Sequence, residues 1–138
     1  MSSGKRPLKI AFLEKGADTV LACRNEVKAR KAIRQIIHKF PEAKVKYLHL
    51  DLGHLESVRS FAEKFMDSYG RLDVLLNNAG VILQPYHRTN DGFESQMGIN
   101  HLGHFALTGL LMDMIAKTNG ARVVNVSSRM HRKGKMNF

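Results

Sequence analysis

The short apolar run Val74-Leu75-Leu76 is cut off by Asn77-Asn78-Ala79-Gly80. A run this short, ended by turn-formers, reads as a buried strand of a parallel sheet covered on both faces. The pattern places the strand over Leu72–Leu76, with the Asn77–Gly80 tetrad beyond its carboxyl end. In open α/β sheets ligands bind there. Gly80 lets the backbone approach a ligand, and Asn77 and Asn78 bring amides that fix the turn or donate hydrogen bonds. Taken alone, the tetrad is more simply a β-to-α turn, and the rest of the chain decides the matter.

Upstream, Thr19–Cys23 is another compact β-prone run, ended by Arg24-Asn25. The next stretch, 26–40, predicts a helix: Ile33, Ile36, Ile37 and Phe40 recur at helical spacing, Lys28, Lys31 and Arg34 take the opposite side, and Pro41 stops it. A strand is expected over 45–50, closed by Asp51-Leu52-Gly53. A second amphipathic helix over 55–69 has Leu55, Val58, Ala62, Phe65, Met66 and Tyr69 on one stripe. Asp91, with Glu94 three residues on, resembles a capping box opening a long helix over 92–117. That helix contains Gly98, Gly103 and Gly109. Each costs about 1 kcal/mol against Ala, usually offset by close packing on another backbone. A last strand runs over 122–127. The stretch 8–15 could be strand or helix; Glu14-Lys15-Gly16 favours a helix end. Strand and helix alternate throughout, which predicts an α/β fold with a parallel sheet and right-handed crossovers.

No boundary or repeat divides the 138 residues, so a single domain over 1–138 is expected. The one cysteine, Cys23, allows no internal disulfide and suits a reducing compartment. No apolar run approaches the ~20 residues of a membrane span, and a cytoplasmic or cytosol-facing location is expected. The net charge of +10 is compatible with nucleic acid, an anionic membrane or a phosphate ligand. The cations are scattered, with one dense cluster at Arg129, Arg132, Lys133 and Lys135, and solvated helix faces account for most of them. No specific nucleic-acid partner is expected. His101 and His104 lack accompanying Cys or acidic ligands, so no metal site is assigned.

Five motifs now stand in one order: Gly16-Ala17 leading to Ala22-Cys23-Arg24-Asn25; Asp51-Leu52; Asn77-Asn78-Ala79-Gly80; Asn100-His101-Leu102-Gly103-His104-Phe105; and Val124-Asn125-Val126-Ser127-Ser128. Together they resemble the short-chain dehydrogenase/reductase family, and its retinol-dehydrogenase-like branch most. The resemblance implies a Rossmann-like, doubly wound parallel sheet and an oxidoreductase acting on alcohols or carbonyls, retinoid- or lipid-like. It implies that Asp51 lies near the adenine with Leu52 behind it, and that Asn77, Asn78, Ala79 and Gly80 line the cofactor cleft. Arg24 follows the strand at which the ribose 2′-position is read. A cation there favours NADP over NAD, although a plain surface arginine is the blander alternative. Asn100 matches the family's helix asparagine, which helps hold a water in the proton relay. Ser128 matches the serine that bonds the substrate oxygen, with Ser127 the competing candidate. Family members commonly dimerise through the helix that corresponds to 92–117.

Two departures qualify this. The family's Gly-rich turn over the pyrophosphate has no glycine triplet here; Gly4 alone could be a remnant, so cofactor binding is expected to be weak. The family's Tyr-x-x-x-Lys pair is also missing: Asp51, Asp73 and Asn90 stand four residues after Tyr47, Tyr69 and Tyr86. The expectation is therefore a partial doubly wound sheet lacking its first strand and its C-terminal strands, inactive as it stands. In the family's strand order the missing first strand separates the strands at 19–23 and 72–76. Either these close against each other or 8–13 is recruited as a substitute strand, and the former is expected, with 8–15 helical. The alternative role is a non-catalytic partner that pairs through the long helix with an intact relative.

Overall fold

The computed structural model describes residues 16–82 and 84–128. The expected helix over 8–15, Gly4 and the basic cluster from Arg129 onward lie outside them. The described residues divide after Asp51 into two compact units.

The first unit is a β-α-β element. Strand β1 (Thr19–Cys23) leads to helix α1 (Glu26–Lys39) and strand β2 (Val45–His49). The strands are parallel, with Thr19 opposite Val45 and Cys23 opposite His49. Asn25 starts the helix: its side-chain oxygen accepts from the Lys28 N–H at 2.9 Å. Ala29 is the helix's buried contact. Ile37, expected on the apolar stripe, is 42% exposed instead. It stands about 100° from Ile36 on an α-helix, which is enough to leave the sheet.

The second unit begins with helix α2 (Leu55–Ser68), which buries Val58, Phe61, Ala62 and Phe65. Its own N-cap residue, His54, makes no side-chain cap bond. Asp91 supplies the cap from 36 residues away, accepting from the Leu55 N–H at 2.8 Å. The expected capping box therefore divides: Asp91 serves α2, and Glu94 alone opens the long helix by accepting from Gln96 N and Met97 N.

Strand β3 (Val74–Asn77) pairs in parallel with β4 (Arg122–Asn125), Asn77 opposite Asn125. It begins two residues later than apolarity suggests. The Leu72 N–H is taken by the Thr118 hydroxyl at 3.2 Å, and Arg71 forks onto Asp73 through Nε at 3.0 Å and a terminal nitrogen at 2.5 Å. The ladder to β4, rather than the apolar run, sets the strand's limits.

The long helix starts at Ser95 rather than Gly92, whose φ of 85° is a turn conformation. It is segmented: α3 (Ser95–Met97), a π-helical turn (Gly98–Leu102), α4 (Gly103–Leu110) and α5 (Met112–Lys117). Leu111, buried to 1% exposure, has φ −95° and ψ 1° at the last joint. Gly103 is needed for packing, since a Cβ there would overlap the Leu52 carbonyl oxygen. Gly109 is not, because nothing lies within 4 Å of its would-be Cβ.

Among the described residues the four strands form two two-stranded sheets, β1-β2 and β3-β4. The expected pairing of the first and third strands is not made. β1 pairs with β2 across the crossover that contains α1, and β3 with β4 across the crossover that contains α3, α4 and α5. The architecture is otherwise the expected partial α/β one.

Candidate functional site

The polar groups of the second unit gather around Asn77 and Asn100. Asn77 is the last residue of β3, not the first of a turn, and is 6% exposed. Its Nδ2 donates to the Thr108 hydroxyl at 3.1 Å and to Asn125 Oδ1 at 2.8 Å. Its own Oδ1 is buried without a hydrogen-bond partner. Thr108 passes its hydroxyl hydrogen to the His104 carbonyl at 2.8 Å. His104 Nδ1 lies 3.1 Å from the Asn100 carbonyl oxygen. A carbonyl only accepts, so Nδ1 carries the hydrogen. This bond falls where the π-helical turn, closed by Gly103 N–H on the Gly98 carbonyl, departs from the α-helical ladder. Such turns are frequent at functional sites.

Asn100 finishes the chain of bonds. Its Oδ1 accepts from the Val81 N–H at 2.8 Å and its Nδ2 donates to the Val81 carbonyl at 2.9 Å. Gly80 lies against the same amide: a Cβ there would stand 3.4 Å from Asn100 Oδ1. The result is an exposed shelf, Asn78-Ala79-Gly80, beyond the end of β3 and pinned at Val81. Leu52 is buried and carries the carbonyl against which Gly103 packs. Ser128 is exposed, three residues past the end of β4.

In the first unit Arg24 is exposed at the end of β1 and makes no ion pair among the described residues. Asp51 is half-buried just past β2. Burial pushes the Tyr47 phenol up from its ordinary value. A phenol exchanging protons near neutrality needs the opposite shift.

Within the second unit, the open glycine-ended shelf past a parallel strand is the geometry that suits a flat ligand. No Gly-rich turn for a pyrophosphate is present among the described residues. Sequence reasoning did not single out Thr108 or place Asn125 beside Asn77. The available signal was an asparagine following two apolar residues in each strand, Leu75-Leu76-Asn77 and Val123-Val124-Asn125.

This is, in part, the architecture of a Rossmann-like α/β protein. The family model for short chain dehydrogenases matches residues 7–138, and the chain belongs to that family. It is 44% identical to retinol dehydrogenase 12 of Mus musculus over 124 residues, which covers 90% of this chain and 39% of that protein. It thus spans about two-fifths of the length of such curated relatives. Among solved structures, an uncharacterized protein from Mycobacterium paratuberculosis superposes with a TM-score of 0.77 at 42% identity, over 94% of this chain and 43% of that one. An alcohol dehydrogenase from the archaeon Thermococcus sibiricus, complexed with 5-hydroxy-NADP, does so with a TM-score of 0.67 at 27% identity, over 83% and 50%.

Proposed function

We propose that this chain is the cofactor-facing interior of an NADP-dependent oxidoreductase domain acting on an alcohol or carbonyl, retinoid- or lipid-like, and that it does not turn over by itself. The observation that carries this reading is the two-point grip of Asn100 on Val81, which holds the Asn78-Ala79-Gly80 shelf open beyond β3. Similarity to retinol dehydrogenases supports the substrate class, and the NADP-type ligand of the Thermococcus sibiricus enzyme supports the cofactor. When bound, the nicotinamide would exchange a hydride with the carbonyl carbon. Arg24 would hold the 2′-phosphate, Asp51 and Leu52 would flank the adenine, and Asn77 would fix the strand end from which Asn78, Ala79 and Gly80 meet the cofactor. Asn100 would hold the relay water and Ser128 would orient the substrate oxygen. No Tyr-x-x-x-Lys pair occurs in the sequence to move the proton, and no Gly-rich turn to hold the pyrophosphate. Among the described residues no helix is long and apolar enough to cross a membrane. A cytosol-facing location fits this reading.

The test is NADPH oxidation by purified protein across a panel of aldehydes and ketones, with NADPH and NADH binding measured on wild type and Arg24→Ala. Weak NADPH binding that Arg24→Ala abolishes, without oxidation, is the expected result. Turnover above a Ser128→Ala background would overturn the claim of catalytic incompleteness.

A second reading rests on the long helix. Phe105 is 72% exposed, and with Leu55, Arg59, Ala106, Gly109 and Leu110 it lines a shallow groove between α2 and α4. This apolar face suits pairing with a second copy or an intact relative through the helix expected over 92–117. Light scattering decides the homomeric form, since a monodisperse monomer at high concentration excludes it.

A further inference from the structure

Helix α1 packs Ala29 inward and turns an outward stripe to solvent. Val27, Lys31, Arg34 and His38 are all exposed at i, i+4, i+7 and i+11 spacing, which puts them on one line along the helix. Lys28 and Lys39 flank one side and Arg30 the other. The helix therefore holds five Lys and Arg against one carboxylate, Glu26, and Glu26 is already held by Arg30 Nε at 2.7 Å. Asp18 of the same unit lies 3.7 Å from Lys44. Glu42, exposed past the helix end, is the next carboxylate along the chain. Among the described residues of this unit, the excess charge is thus concentrated on one helix about 21 Å long.

Apolar side chains stand among these cations. Val27, 77% exposed, sits on the stripe itself, and Ile37, 42% exposed, beside it. A phosphodiester backbone offers them no apolar contact. Among the described residues of this unit neither Phe40 nor Tyr47 is fully exposed, and the exposed rings are the small imidazoles of His38 and His49. Cations at phosphate level with short apolar side chains between them match a helix lying in a lipid headgroup layer. We propose that α1 is a peripheral docking surface for anionic phospholipid, lying flat on the membrane with Val27 inserted and Lys28, Lys31 and Arg34 at the phosphates. Each lysine or arginine near such a surface strengthens partitioning about fivefold, with a reach of about one Debye length.

The experiment is co-sedimentation of the full chain with vesicles of about three parts phosphatidylcholine to one part phosphatidylserine, against pure phosphatidylcholine and against duplex DNA. Binding to the mixed vesicles alone is expected. Lys31→Gln with Arg34→Gln should weaken it roughly 25-fold, while Lys64→Gln with Lys117→Gln, which removes the same charge from exposed positions elsewhere, should change it less than about twofold. Val27→Ser should weaken it a further few-fold without altering its salt dependence. Equal losses in the two double variants would show that only total charge matters and overturn the proposal. So would equal binding to pure phosphatidylcholine, no vesicle binding at all, or tighter retention on DNA than on mixed vesicles at the same salt.

Discussion

Gly103 and Gly109 lie on one turn-and-a-half of the same helix, and the structure assigns the same substitution opposite signs at the two. At Gly109 an added Cβ meets nothing within 4 Å and the residue is exposed. Gly109→Ala should therefore recover the helix preference alone, stabilising by about 0.5–1 kcal/mol. At Gly103 the new Cβ overlaps the Leu52 carbonyl oxygen and comes within 2.9 Å of Leu52 Cβ. Backbone cannot rotate away as a side-chain tip does. Overpacking of this kind costs about 1–3 kcal/mol, toward the upper end against a carbonyl. Subtracting the same helix gain leaves Gly103→Ala destabilised by about 1–2 kcal/mol. The two variants should thus differ by about 2–3 kcal/mol, which for a chain this size is roughly 6–10 °C in Tm. Urea unfolding followed by far-UV circular dichroism reads this directly, the midpoint moving while the slope m stays constant. If Gly103→Ala is as stable as Gly109→Ala, the packing of Leu52 against the helix is not what makes a glycine necessary there.

Asn77→Asp removes two donated hydrogen bonds and sets a carboxylate against Asn125 Oδ1 in a buried position; unfolding should show a loss of about 3 kcal/mol or more, and a loss under about 1 kcal/mol would mean that the network is not holding the strand end. Glu94 accepts from Gln96 N and Met97 N, and these bonds hold its carboxyl below the ordinary range. Because the folded value is the depressed one, its contribution is present at neutral pH and fades as pH falls below about 4.3, the usual glutamate value. Glu94→Gln should flatten that acid limb, and an unchanged acid limb would count against the cap. The Asp73 carboxyl is likewise held low by the hydrogen bond from Arg71, so Arg71→Gln should raise its titration midpoint as followed by NMR.

Element type was legible from periodicity: the four described strands and both amphipathic helices fall where alternation placed them. What periodicity does not encode is partnership across the sequence. Asp91 has the composition of a local cap and serves a helix 36 residues earlier. The long helix read as one rod because its apolar residues continue through Gly98–Leu102, where the turn widens, and through Leu111, where it breaks. At the candidate site Asn100 and the Asn77–Gly80 tetrad were visible because polar residues stood out against apolar surroundings. The grip on Val81 was not, since both of its bonds go to backbone, which looks alike at every position.

That grip also determines where this chain can gain or lose residues. Between β3 and α3 the backbone is fastened at Val81 by Asn100 and again from His87 onward, where Ser95 N–H reaches the His87 carbonyl at 3.0 Å and Thr89 N–H the Phe93 carbonyl at 2.8 Å. The stretch between the two fastenings includes Ile82, Gln84, Pro85 and Tyr86, all exposed. Doubling a free loop costs only about 0.6 kcal/mol. An insertion between Gln84 and Pro85 would therefore pass almost unnoticed, whereas a single added residue between Asn78 and Val81 would shift the fastened residue out of reach of the amide. Length variation among proteins built this way should collect on one side of Val81 and stop abruptly at the other.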